Sequence, residues 1–260
     1  IWGWKVGKVD ADFKIYNPAT LPQAPNKQIQ QPAYSPVFSS LLDAVKYTRL
    51  RMYQQPEQQF GYLLKYKDQA QYLATEPVPG AEHLFKPDAV FTLNAAGAVV
   101  IPRNLEVVAQ YYCDNLYHAP DQVPAQQRQV YKRFVEPNAM AQSIRMSLAL
   151  RFGRDVAPLP LYITVRDGAL LEYQPSSTLA EEPYVRTLSQ AQGGGLAIKR
   201  DLLGGHVTPT AYVHRLAQMG TLKVLYHSDL WGLPGTVDQH WTPYARLSRR
   251  ALSPSFLTMD

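Results

Sequence analysis

The chain has one cysteine, Cys113, among 260 residues. A single thiol excludes an internal disulfide framework and any zinc site built from several thiolates. No apolar run approaches the roughly 20 residues that a membrane-spanning helix requires. No signal peptide opens the sequence either, which begins at Ile1 rather than at methionine, as a module cut from a longer polypeptide or a trimmed chain would. Long runs of one charge are also missing. The 26 Lys and Arg against 21 Asp and Glu leave a net charge of +5, with only short basic clusters such as RLSRR at 246–250. A nucleic-acid tract, which needs its cations gathered on one face, is therefore not expected. The six histidines (83, 118, 206, 214, 227 and 240) never form H-x-H or H-E-x-x-H. His206 and His214 lie eight residues apart across a helix start, which is a poor metal spacing. Neither G-x-x-x-x-G-K-[ST] nor G-x-G-x-x-G occurs in a strand–loop–helix setting, so QGGG and GGHVTPTAYVH read as turns. No cofactor and no metal are expected.

What remains is a composition ordinary for a globular protein and a length that affords a sizeable core. Residues 1–16 are aromatic and β-prone and read as one or two short strands, tied on through Trp2 and Trp4 or docked on a partner. Five prolines in 17–36 make an extended linker or a surface-hugging arm. SSLLDAVKYTRLRMY (39–53) reads as a helix capped by Ser40, with Leu41, Leu42, Val45 and Met52 as its apolar face. A hairpin follows over 60–77, then strands at AVFTL and VVIPRN around an NAAG turn, then a strand over 106–113 that ends on Cys113. A second helix spans 135–150 with Pro137 in its first turn and Met140, Ile144 and Leu148 on one face. Residues 159–175 form the clearest hairpin, with Asp167-Gly168 in the turn. A helix over about 179–192 and a glycine-bracketed loop and strand follow. Thr208-Pro209 opens a helix running through Met219 and closed by Gly220, and 221–232 is a strand entering a turn. Helices inserted between hairpins predict an α+β fold with a mixed, mostly antiparallel sheet flanked by helices. The organisation expected is an N-terminal strand segment and Pro-rich arm over 1–36, followed by a single α+β domain over 37–260.

Two stretches carry residues with chemistry. In EYQPSSTLAEE (172–182) the hydroxyls and carboxylates sit at a helix onset and read as capping groups. In YYCDNLYHAP (111–120), Cys113, Asp114, Asn115 and His118 crowd together. A thiol nucleophile needs an imidazole within hydrogen-bond reach and a third group to orient the ring. Cys113 as nucleophile, His118 as base and Asp114 or Asp121 as orienter would meet that requirement. A lone cysteine ending an apolar strand can equally be a buried core residue.

The order of these elements resembles the JAB/MPN fold of the JAMM metallo-isopeptidases, and more narrowly its DUF4329-type bacterial relatives associated with polymorphic toxins. The pieces that carry the resemblance are FSSLLDAVKYTRLRM, QFGYLLKY, YLATEPV, AQYYCDN, FVEPNAMAQSI and YITVRDGALLEYQP, over about residues 37–175. The family's hydrolytic zinc is held by an H-x-H pair, an aspartate in S-x-x-D and a water, helped by an upstream glutamate. Cys113 and Asn115 stand at the histidine positions, Glu136 at the serine, Ala139 at the aspartate and Gln59 near the glutamate. The resemblance thus implies a degenerate core without its metal, acting as a binding or structural module in a bacterial toxin or effector system. A protein partner is expected, held at a sheet edge or in the remnant cleft near Gln59, Asn115 and Glu136. The alternative is a thiol-dependent hydrolase or transferase using Cys113 and His118. The chain is expected to be cytoplasmic in the producing cell, with any export occurring within a larger protein.

Overall fold

A computed structural model of the chain describes residues 5–9, 13–17, 33–55, 57–80, 85–113, 137–150, 157–176 and 206–244. Of 5–9, 13–17, Asn138, Leu148 and Ala149 it describes the backbone alone. The fold is α+β, with helices set against mostly antiparallel strands. The chain divides into two compact units, Ile1–Cys113 with Gln142–Leu161, and Asp114–Ala141 with Tyr162–Asp260. Trp2, Trp4, the helix over 179–192 and the loop and strand after it lie outside the described residues.

In the first unit the opening residues form β1 (Lys5–Val9) and β2 (Phe13–Asn17), and a later strand, β6 (Val99–Pro102), completes an antiparallel sheet in the order β1-β2-β6. Helix α1 (Leu41–Met52) starts where expected, with the Ser40 hydroxyl accepting the Asp43 N–H at 3.1 Å. Its buried face is Ala44, Val45, Thr48 and Met52. Leu42, expected in that face, is instead exposed, because it lies more than 100° around the helix from Thr48, which the core takes in. Strands β3 (Gln59–Tyr66) and β4 (Tyr72–Ala74) form the first hairpin, β5 (Val78–Pro79) pairs with the start of β3, and β7 (Leu105–Cys113) pairs along its other side. QFGYLLKY is apolar almost throughout because β3 is a central strand whose first six residues are all buried. The end of the Pro-rich arm closes the β4 edge. Ser35 and Phe38 donate their N–H groups to Ala74 and Tyr72 carbonyls at 2.8 and 2.7 Å. AVFTL is not a strand. Pro87–Ala89 instead make a single 3-10 turn that directs the Val90 and Phe91 N–H groups onto the Pro87 carbonyl at 3.1 and 2.8 Å, and of the segment only Leu93 forms a β-bridge, to Val99.

The middle helix, α2 (Pro137–Ala149), begins at Pro137 as expected and buries Met140 and Ile144. In the second unit β8 (Leu161–Thr164) and β9 (Leu170–Pro175) form the second hairpin. Asp167 Oδ1 accepts the Ala169 N–H at 3.0 Å, and Gly168 takes a φ of 104° that suits glycine. Helix α3 (Pro209–Met219) is capped by the Thr208 hydroxyl on Ala211 N–H at 3.1 Å. It is followed at once by β10 (Gly220–Tyr226), which lies between β9 and a short strand, β11 (Gly235–Val237). Gly220 does end α3, but in an extended conformation, with a φ of −178°, and not as a left-handed cap. Glycine is required there by crowding, since a Cβ would lie 2.5 Å from the Gln174 carbonyl oxygen and 2.9 Å from Tyr173 Oη. Beyond β10, Trp231 and Trp241 stack at 5.0 Å and Trp241 Nε1 donates to the Trp231 carbonyl at 3.0 Å. His214 Nε2 lies 2.6 Å from the Trp241 carbonyl. A carbonyl can only accept, so this nitrogen carries the ring proton and serves to anchor the tail. No helix among the described residues is long and apolar enough to cross a membrane, which says nothing of strands.

Candidate functional site

Because β3 and β7 run antiparallel, the end of β7 meets the start of β3. Cys113 pairs with Gln59, Tyr112 with Phe60 and Tyr111 with Gly61. Residues opposite one another share a face and successive residues alternate between faces. Gln59, Gly61, Tyr111 and Cys113 therefore line the α1 side, and Phe60 and Tyr112 the other. Of the residues named from the sequence, Gln59 and Cys113 meet at the strand ends.

Both are buried, Gln59 at 4% exposure and Cys113 at 0%. Gln59 Nε2 donates to the Met52 carbonyl at 3.0 Å and to the Glu57 carbonyl at 3.4 Å. It thereby joins the Gln55 N–H, at 3.3 Å, in satisfying the Met52 carbonyl at the C-terminal end of α1. A glutamate here would offer only acceptors to those oxygens unless protonated, so the amide fits the helix end as a carboxylate base would not. On the opposite face Phe60 and Tyr112 each pack on Phe85, at 5.8 and 5.6 Å between ring centroids. Tyr62 stacks on Phe91 at 5.4 Å and donates its hydroxyl to the Phe85 carbonyl at 2.7 Å. Gln110, fully buried on β7, donates to the Ser143 carbonyl at 3.1 Å.

Tyr111 explains Gly61. The Tyr111 ring lies across β3 so closely that a Cβ on residue 61 would clash with the phenol oxygen and the ring carbons beside it, and the phenol reaches over to donate to the Thr75 carbonyl. Burial, above all, pushes this phenol well above its ordinary range. Next to Thr75, Glu76 forms a cluster that the sequence reading missed. Its carboxylate accepts from the Tyr47 hydroxyl and from Arg51 Nε at 3.0 Å, holding two successive turns of α1 to the segment after β4. The hydrogen bond to Glu76 is also the main reason the Tyr47 phenol is raised. The available signal was the Tyr47–Arg51 spacing of i, i+4 on one helix face.

Asp114, Asn115, His118, Asp121 and Glu136 lie outside the described residues. Ala139, at the aspartate position of the resemblance, is fully buried in the first turn of α2. Among the described residues no group of three or more His, Cys, Asp or Glu is placed to hold a metal. The described part of the strand-end site thus consists of a buried thiol, a structurally committed amide and an aromatic layer, none of which offers solvent a nucleophile or a base. No family model matches this chain, and no curated protein or solved structure matches it, so the site is read from its own geometry.

Proposed function

We propose that the chain is a non-catalytic module that binds a protein partner, within a bacterial toxin or effector system as the JAB-like resemblance implies. The observation that carries the non-catalytic reading is the state of Gln59 and Cys113. A thiol at 0% exposure is out of reach of a substrate in solution, and the amide opposite it is occupied by the end of α1. Buried cysteines of this kind are structural and inert, whereas reactive ones sit partly exposed in electropositive surroundings.

The reading is tested by comparing the wild-type chain with Cys113→Ala in whatever effector assay the intact system provides, alongside metal content. Cys113→Ala should keep the wild-type phenotype, with its melting temperature lowered only by the small cavity it leaves. Loss of the phenotype in a folded Cys113→Ala protein would support the thiol hydrolase or transferase instead. Stoichiometric zinc, with activity abolished by chelation, would sink both readings.

A further inference from the structure

Among the described residues the exposed large apolar side chains are Val37, Leu42, Leu50 and Tyr53, and the last three belong to α1 or its C-terminal cap. At 3.6 residues per turn, positions 42, 46, 49, 50 and 53 fall on one stripe of the helix. That stripe reads Leu42, Lys46, Arg49, Leu50 and Tyr53, with no acidic residue in it. The core takes the other side of α1, so the helix is apolar on the face it buries and again, in part, on the face it shows to solvent. Leu50 is 67% exposed, which nothing in the packing of the helix calls for. Arg49 lies 5.4 Å from the Tyr53 ring centroid and its Nη2 is 3.4 Å from the Tyr53 hydroxyl, which orders the cation along the stripe. Lys46 Nζ is 4.0 Å from Asp43 Oδ1 at the edge of the stripe, with both side chains about half exposed.

We propose that this outer stripe of α1 docks an acidic amphipathic segment of a partner protein. The partner's apolar side chains would pack on Leu42, Leu50 and Tyr53 while its carboxylates face Lys46 and Arg49. The proposal rests on the binding-module reading and names the surface and partner chemistry for it. Charge decides between occupants. Two copies pairing through the stripe about a two-fold axis would bring the central Lys46 and Arg49 of each against those of the other. An anionic membrane surface is held by clusters of about four to eight cations, more than the stripe carries. An acidic segment satisfies both the leucines and the cations.

The test uses the full chain and a fluorescent synthetic helix with leucines at i, i+4, i+7 and i+11 flanked by glutamates, against the same helix with lysines for glutamates. In fluorescence anisotropy the glutamate peptide should bind and the lysine peptide should not. Leu50→Ser and Lys46→Glu, both at exposed positions, should each weaken binding by on the order of tenfold while leaving the melting temperature unchanged. Equal binding of the two peptides, capture by phosphatidylserine vesicles in their place, or a dimer that Leu50→Ser dissociates would each overturn the proposal. Failure of the glutamate peptide while Cys113 stays inert removes this surface and leaves the binding-module reading standing. Rapid alkylation of Cys113 would instead remove that reading.

Discussion

At Gly61 the backbone of β3 passes directly beneath the Tyr111 ring, and the ring has nowhere to move because it is fully buried and its hydroxyl is held by the Thr75 carbonyl. Gly61→Ala should therefore cost about 2 kcal/mol through overpacking. Tyr111→Phe, which keeps the ring and loses the hydrogen bond, should cost about 1 kcal/mol. Urea unfolding of the two single variants and of Gly61→Ala in a Tyr111→Leu background checks this, because the alanine should cost markedly less where the ring is gone. A full cost retained in that background would show that Gly61 is needed for some other reason. The sequence displays the glycine in the middle of QFGYLLKY, but its reason is the register partner 50 residues later, and pairing across that distance is not written in local periodicity. Cys113 is the reverse case. Its place at the end of an apolar strand was legible, and burial followed from that place.

At the scale of the elements, capping chemistry was the most readable feature. Ser40, Pro137 and Thr208 stand at the helix starts they signal, because a cap depends only on residues within one turn. Short edge strands were not readable. β5 and β11, of two and three residues, are strands only because a longer neighbour pairs with them. Leu42 misled because tertiary packing decides which side of α1 is covered, and although Gly220 was legible as the end of α3, the backbone that crowds it was not. Gly220→Ala is thus expected to cost about 1–3 kcal/mol, the β9 backbone being the obstacle, with loss of the α3–β10 junction first in hydrogen exchange. Gln59 ties two elements together. Gln59→Ala should cost about 1 kcal/mol and loosen the last turn of α1, since it removes the side-chain donor from the Met52 and Glu57 carbonyls and leaves the Met52 carbonyl only the Gln55 N–H at 3.3 Å. Gln59→Glu should be worse at neutral pH than in mild acid, because only the protonated carboxyl can donate to those carbonyls. An unaltered urea midpoint for Gln59→Glu at both pH values would contradict the structural role assigned to the amide.

For the whole molecule, the α+β class followed from the alternation of hairpins and helices, and the described strands and helices keep that order. The polar features that distinguish this chain from any other α+β protein were less visible, because Tyr47, Arg51 and Glu76 converge only once α1 lies beside the end of β4. Burial of tyrosines sets the response of the fold to alkali. Tyr62 and Tyr111 are held well above the ordinary phenol value of 10.0 chiefly by burial, and Tyr34 is raised to about 12. A folded value above the unfolded one means that the neutral phenol is favoured by folding. This contribution is fully present below about pH 10 and is lost as pH rises beyond it. The urea midpoint should hold from neutrality to about pH 9 and fall above about pH 10, with the last phenols ionising together with unfolding. Titration of all 17 tyrosines at ordinary pH while the native circular dichroism persists would contradict the packing described for β3 and β7. The central claim is that the strand ends are structural and that Cys113 performs no chemistry. It is tested most directly by the rate at which iodoacetamide alkylates Cys113 at neutral pH in the native chain, compared with the same chain in denaturant. The account predicts a native rate lower by on the order of a hundredfold or more, set by local opening of the fold. A native rate equal to or above the denatured rate would contradict it.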